Sequence, residues 1–114
     1  MQEKMKLPVE NAVELLKALA DPTRLGIVDF LLNGERPPSD IQDALEKSQS
    51  TISQHLKILV HQNILEVRRD GPKKYYKVED SITPILNSIS NFLTARSKQE
   101  LERAADRTRI DTLL

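Results

Sequence analysis

Apolar side chains recur at helical spacing near the start of the chain. From Val9 to Ala20 they fall three or four residues apart and leave Glu10 and Glu14 for solvent, a pattern typical of an amphipathic helix. Asp21-Pro22 ends this helix and begins the next, because Asp caps free N–H groups and Pro tolerates the first helical position. The second helix ends at Asn33-Gly34. Its apolar residues are Leu25, Val28, Phe30, Leu31 and Leu32.

Two further helices are predicted next. Pro37-Pro38 indicates an extended connection, and Ser39 with Gln42 forms a capping box for a short third helix. Its inward-facing residues are Ile41, Ala44 and Leu45. After a polar turn over Lys47–Ser50, a fourth helix begins at about Ser50 and ends at Asn63, a residue that tolerates the left-handed conformation. One face of this helix carries Ile52, Leu56 and Leu59.

After the fourth helix, the apolar residues change from helical spacing to strict alternation. Leu65 and Val67 alternate with charged residues, Asp70-Gly71-Pro72 supplies turn chemistry, and Tyr76 and Val78 alternate on the return. This pattern predicts a two-stranded hairpin. A last helix, over about residues 81–104, carries the dense apolar stripe Ile82, Ile85, Leu86, Ile89, Phe92 and Leu93, and residues 97–114 are either helical or frayed.

The amino-acid composition excludes several classes of function. The 114 residues include no cysteine, which excludes disulfides, thiolate metal sites and a cysteine nucleophile. No apolar run approaches the roughly 20 residues needed to cross a bilayer, and Met1 to Lys6 lack the apolar stretch of a signal peptide. We therefore expect a cytoplasmic protein without a membrane partner. No phosphate loop or paired catalytic groups indicate an enzyme.

The formal net charge is zero, but the charge is unevenly distributed. Residues 49–78 carry six basic and two acidic side chains. Short polar side chains on the fourth helix are suited to base edges in a DNA groove, and basic side chains on the hairpin are suited to phosphates. The candidate contacts on the helix are Gln49, Ser50, Thr51, Ser53, Gln54, His55 and Lys57. Those on the hairpin are Arg68, Arg69, Lys73 and Lys74.

The order of elements, α-α-α-α-β-β-α, predicts a mainly helical fold with a β-hairpin wing, the winged helix-turn-helix. Three motifs resemble those of the ArsR family of winged-helix transcriptional regulators: Ala18–Leu25 followed by Ile27, Ser50–Leu59, and Arg69-Asp70-Gly71 with Tyr75-Tyr76. The resemblance covers roughly residues 9–93. It implies a sequence-specific, homodimeric regulator of double-stranded DNA, often a repressor, acting on a pseudo-palindromic site.

The resemblance also implies that the first and last helices form the dimer interface. The apolar stripe of the last helix independently favours that role, because a lone monomer leaves part of it exposed. We expect a single domain over residues 1–114, with the helix over about residues 81–104 as its dimerisation element. The candidate interface residues are Val9, Val13, Leu16, Ile82, Ile85, Leu86, Ile89, Phe92 and Leu93.

The sequence departs from metal-sensing members of the family. Pro38-Ser39-Asp40-Ile41 stands where many members have a cysteine pair, and the last helix offers Asp80 and Glu100 without a histidine. We therefore expect no metal and no cofactor. Three means of regulation stay open: a small apolar or anionic ligand at the dimer interface, a partner protein, or protein abundance.

The same features allow other interpretations. The alternative function is a protein-interaction adaptor with incidental DNA affinity, which has no need of a polar and basic surface on the fourth helix. The hairpin lysines also suit a solvated sheet edge, and His55 suits either DNA contact or packing of the helix. Arg24 is expected to pair with a nearby carboxylate rather than with a phosphate.

Overall fold

A computed structural model describes the backbone of residues 6–113 and the side chains of residues 6–107. Residues 1–5, most of the segment assessed for a signal peptide, lie outside the described residues. The elements follow the predicted order. They are α1 (Val9–Leu19), α2 (Pro22–Leu31), α3 (Pro38–Leu45), α4 (Gln49–His61), β1 (Leu65–Asp70), β2 (Lys73–Val78) and α5 (Thr83–Leu113).

The chain divides into two compact units between Glu79 and Asp80, and α5 belongs to the second. That residues 1–114 act as a single domain therefore stays a prediction. In the first unit, α1 packs on α2 and α4, and α2 packs on α3, α4 and β2. The most deeply buried side chains of this unit are aliphatic residues of α2, α3, α4 and the loop before β1: Ile27, Val28, Ile41, Ile52, Leu59 and Ile64.

Several helix ends follow the predicted capping chemistry. The Asp21 carboxylate accepts a hydrogen bond of 3.0 Å from the backbone N–H of Arg24, and Pro22 occupies the first position of α2. Asn63 has a φ of 58°, as predicted for the residue that ends α4. At the end of α2, Gly34 adopts a positive φ of 134°, whereas Asn33 does not adopt positive φ.

The predicted details of α3 and its following turn were partly wrong. No side chain caps α3, because Pro38 takes the first helical position after an extended Pro37, which places Ser39 inside the helix. Ala44 is exposed rather than turned inward. The helix ends at Glu46, which has a left-handed φ of 55°, and the N-cap of α4 is Ser48 rather than Ser50.

The predicted hairpin forms, and its turn is two residues long. Leu65 pairs with Val78 and Asp70 pairs with Lys73, so Gly71 and Pro72 make the turn. Gly71 has a φ of 60°, and Pro72 cannot adopt positive φ, which is consistent with a type II′ turn. The outer edge of β2 also pairs with the loop before α3, because Arg36 and Tyr76 exchange backbone hydrogen bonds of 3.0 and 2.9 Å. The hairpin is thus fastened to the helical part of its unit.

The last helix begins within two residues of its predicted start and continues beyond residue 104. It starts at Thr83, so Ile82 precedes it, and it extends to Leu113, which shows that residues 97–113 are helical. The segment lacks glycine and proline after Pro84, and an Arg96–Glu100 ion pair of 3.3 Å supports it at i,i+4 spacing. Among the described helices, none combines the length and apolar character required of a membrane span.

Candidate nucleic-acid interface

Helix α4 has two chemically distinct faces. Ile52, Leu56 and Leu59 are between 0% and 3% exposed and hold the helix against the core. Thr51 and His55 lie half-buried on the flank. The remaining predicted contacts are exposed: Gln49, Ser50, Ser53, Gln54 and Lys57. The predicted separation of a buried aliphatic stripe from an exposed polar face is therefore present.

Hydroxyl groups at the start of α4 organise its N-terminus. Ser48 Oγ accepts a hydrogen bond of 3.3 Å from the Thr51 N–H and donates one of 2.9 Å to Thr51 Oγ1, and it lies 3.2 Å from Ser50 Oγ. Sequence reasoning missed Ser48 as the cap, although its position three residues before Thr51 was an available signal. By contrast, Ser53, Gln54 and Lys57 have no hydrogen-bond partner in the described part of the chain, so their polar groups are available to a ligand.

The half-buried ring of His55 contacts the Arg24 side chain. Its Nδ1 lies 3.1 Å from Nη1 of Arg24. The same guanidinium donates from Nε to the Ala18 carbonyl and from Nη2 to the Lys17 carbonyl. The expected carboxylate partner of the Arg24 guanidinium is thus absent from its hydrogen bonds. Arg24 binds the end of α1 and the flank of α4 instead.

The basic residues of the wing fall into two groups. Here, the wing means β1, β2 and the turn between them. Arg69, Lys73 and Lys74 are exposed, and none of them has a carboxylate within ion-pair distance among residues 6–107. Arg68, by contrast, donates to Glu35 with an Nη2–Oε1 distance of 2.6 Å, and its guanidinium lies 4.5 Å from the centroid of the Tyr75 ring. Glu35 was not predicted, because no local pattern links residues 33 positions apart.

Acidification is expected to release Arg68. The hydrogen bond from Arg68 holds the pKa of the Glu35 carboxyl below its ordinary value, so the pair stabilises the fold at neutral pH. This contribution begins to be lost as the pH falls below the ordinary glutamate pKa of about 4.3 and is gone below the folded-state value. An NMR titration of the Arg68 side-chain N–H should show the release. A Glu35→Gln variant should lack this titration; an unchanged titration in the variant contradicts the assignment.

A groove of about 490 Å³ separates the wing from the helices. Its helical side begins at the N-terminus of α3 and includes Gln49 of α4, and its other side is the wing turn with two lysines. The lining residues are Pro37, Pro38, Ser39, Gln42, Gln49, Pro72, Lys73, Lys74 and Tyr75. No acidic side chain lines the groove, so it is suited to an anion.

The predicted dimer residues lie in both units. On α1, Val9, Val13 and Leu16 are exposed. On α5, Ile85, Ile89, Phe92 and Leu93 are also exposed, whereas Leu86 is half-buried and Ile82 is buried. Each helix thus presents apolar side chains that are free to meet another surface. Among the described side chains, no three His, Asp or Glu residues converge as metal ligands do.

These features define the class of the protein. Residues 46–48 form a short turn between α3 and α4, α4 exposes a polar face, and a basic hairpin follows it. This arrangement is a winged helix-turn-helix of the kind that binds DNA. An adaptor of the same fold is disfavoured, because its α4 surface needs neither the free polar groups nor the adjoining lysines.

Comparison with known proteins agrees with this class. The model for bacterial regulatory proteins of the arsR family matches residues 21–67. An HTH-type transcriptional regulator of Methanocaldococcus jannaschii is 42% identical over 85 residues, covering 73% of this chain and 96% of the relative. The arsenical resistance operon repressor of Staphylococcus aureus is 38% identical over 85 residues, covering 75% and 82%.

The fold is also that of a solved structure. The homodimeric winged helix-turn-helix DNA-binding domain from Mycobacterium bovis matches with a TM-score of 0.68 at 26% identity, covering 83% of this chain and 91% of that one. The chain belongs to the arsR family of bacterial transcriptional regulators. The family, the winged helix-turn-helix fold and the DNA-binding class predicted from the sequence are thereby confirmed.

Proposed function

We propose that the protein is a homodimeric repressor that reads a pseudo-palindromic operator with the exposed face of α4. One observation carries the proposal: Ser53, Gln54 and Lys57 are exposed and unpaired within the described residues, while the opposite side of the same helix is fully buried. A helix of this kind fits the major groove, where base edges present a distinct pattern of donors and acceptors.

The residues of α4 have separable roles in this proposal. The Gln54 amide both donates and accepts, so it can pair with the N6 and N7 atoms of adenine, and the Ser53 hydroxyl is suited to either type of base atom. Lys57 supplies a positive charge for guanine or phosphate. The N-terminus of α4, capped by Ser48, leaves backbone N–H groups of Gln49 and Ser50 for a phosphate.

The groove beside the wing is assigned to the DNA backbone. In helix-turn-helix proteins the first helix of the motif crosses the backbone, and here the N-terminus of α3 faces Lys73 and Lys74 across the groove. Ser39 and Gln49 add neutral hydrogen-bonding groups to the same lining. Arg69 is a further phosphate contact in this proposal. Arg68 instead holds the wing in place, because Glu35 and Tyr75 already engage it.

The dimer is supported by the exposed apolar side chains of α1 and α5 and by the homodimeric relative from M. bovis. A twofold axis places the two α4 helices in successive major grooves, about 34 Å apart. Repression is supported by the similarity to the S. aureus operon repressor. The protein acts in the cytoplasm and on its nucleoid DNA, and its readout of DNA requires no cofactor.

The test is binding to DNA taken from upstream of the protein's own gene. At low salt the purified protein should retard this fragment more strongly than an unrelated fragment of equal length. A Gln54→Ala variant should lose about 1–3 kcal/mol of discrimination per half-site between the two fragments, because one base contact is removed in each half-site. The matched control is Gln62→Ala, beyond the end of α4. Equal binding of both fragments by the unaltered protein contradicts sequence-specific binding to that region.

A further inference from the structure

The guanidinium of Arg24 joins three helices. Arg24 lies in the first turn of α2, and its backbone N–H donates a hydrogen bond to the Asp21 carboxylate. Its Nε donates to the Ala18 carbonyl at 2.6 Å and its Nη2 donates to the Lys17 carbonyl at 3.3 Å, both in the last turn of α1. Its Nη1 reaches His55 of α4 at 3.1 Å. We infer that Arg24 is a positioning residue that fixes α4, through His55, to the end of α1.

The end of α1 needs such a donor. The last carbonyls of a helix have no partner within the helix, and a cation near them is favourable because of the helix dipole. The backbone N–H of Ala20 satisfies Leu16 and that of Asp21 satisfies Leu19, while the Ala18 carbonyl receives Arg24. The position of the guanidinium is therefore set by the backbones of α1 and α2, independently of α4.

The contact with α4 selects one tautomer of the His55 ring. A guanidinium only donates hydrogen bonds, so Nδ1 of His55 must carry no proton when it accepts from Arg24. In the neutral ring the proton is then on Nε2, which becomes a donor. Arg24 thus selects one tautomer and one orientation of a ring that lies on the flank of the proposed reading face.

A directional contact at this place restricts the rotation of α4 about its axis. Ile52, Leu56 and Leu59 hold the helix through aliphatic packing, which is not directional. The hydrogen bond to His55 is directional, and His55 directly precedes Leu56 and follows Gln54. Since base contacts require side chains at a defined position, loss of this bond is expected to reduce sequence-specific affinity more than affinity for any DNA.

The same residue connects α4 with the proposed dimer surface. The exposed side chains Val9, Val13 and Leu16 lie on α1, whose last turn Arg24 binds. The orientation of each reading helix is therefore tied to the helix that contributes to dimerisation. The effect on operator affinity rests on the proposed function, whereas the tautomer of His55 can be tested without DNA.

The experiment uses full-length protein with substitutions at both ends of the contact. Long-range ¹H–¹⁵N NMR of the free protein should show His55 with its proton on Nε2, and Arg24→Gln should give a mixture of tautomers. His61, on the same helix, serves as the internal reference and should not change. A His55 ring protonated on Nδ1 in the unaltered protein, or one unaffected by Arg24→Gln, overturns the inference.

Affinity for DNA provides the second readout. In His55→Asn, an amide oxygen lies close to the position of Nδ1 and can still accept from Arg24. In His55→Gln, the acceptor near the backbone is lost. The Gln variant should therefore lose more operator affinity. We expect about a tenfold loss for Arg24→Gln, and the double variant Arg24→Gln, His55→Gln should be no weaker than the single variants. His61→Gln is the matched control.

These outcomes distinguish the positioning of α4 by Arg24 from the proposed sequence-specific binding of DNA. Should Arg24→Gln fail to fold, the ordering of the two His55 variants still decides: a larger loss for His55→Asn than for His55→Gln contradicts the inference. Equal losses for operator and unrelated DNA also contradict it, because they indicate a general loss of structure. If the tautomer follows Arg24 but no fragment is bound specifically, the positioning contact is supported and the proposed function is not.

Discussion

An Ile89→Glu, Phe92→Glu variant is expected to be a folded monomer that binds operator DNA about 10²–10⁴-fold more weakly than the unaltered protein. Both side chains are exposed in the protomer, at 44% and 65%, so the charges cost little in the folding of one chain. In a dimer they are brought together in an apolar seam, where unpaired carboxylates are costly. The loss in affinity follows because the second half-site no longer benefits from the high effective concentration of a linked partner.

The matched control adds the same charge to the same helix outside the apolar stripe. Asn87→Glu with Asn91→Glu places two carboxylates on exposed positions of α5, away from Ile89 and Phe92. This variant should stay dimeric in sedimentation equilibrium and keep its operator affinity, as measured by fluorescence anisotropy. A dimeric Ile89→Glu, Phe92→Glu variant, or two equally affected variants, contradicts the assignment of this face.

The double substitution Lys73→Ala, Lys74→Ala is expected to weaken binding to all DNA by about 10²–10³-fold near 0.1 M salt. The two lysines line the groove beside the wing, and neither is neutralised by a carboxylate among the described residues. If each one contacts a phosphate in both protomers, the slope of log K against log salt becomes less steep by roughly 3 to 4. The ratio of operator to unrelated DNA affinity should change little, because phosphate contacts carry no sequence information.

Charge-conserving substitutions give the control for the lysines. Lys73→Arg with Lys74→Arg keeps the two cations and should retain most of the affinity and the salt slope. An unchanged slope in the alanine variant indicates that these lysines do not contact phosphates, and the groove then needs a different occupant. A selective loss of operator binding indicates that the wing reads bases, which contradicts its proposed role in positioning the protein on the backbone.

Local chemistry was sufficient to predict most of the fold. The cap at Asp21, the left-handed Asn63 and the turn at Gly71-Pro72 each depend on residues close together in the sequence. The buried stripe of α4 likewise follows from helical periodicity. The errors around α3 have a local origin too: Ser39 and Pro38 both suit the start of a helix, and the proline took the first position.

The partners of individual site residues could not be predicted from the same patterns. His55 and Arg24 are 31 positions apart, and Arg68 and Glu35 are 33 apart. Their contacts exist only because α1, α2, α4 and the wing pack together, so no spacing rule encodes them. Arg68 shows the consequence: a basic residue on the wing suits DNA binding by composition, but an ion pair and an aromatic ring already hold it.

Helix α4 is proposed to read base edges as one half of a symmetric pair, and this is the central claim. Selection of binding sequences from a random pool of duplex DNA by the purified full-length protein, with sequencing of the retained fragments, tests this directly. We predict an enriched pseudo-palindrome whose half-sites are about one helical turn, 10–10.5 base pairs, apart from centre to centre. The Gln54→Ala protein should lose preference at one position in each half-site. A retained pool with no enriched motif, or a single motif without twofold symmetry, contradicts the account.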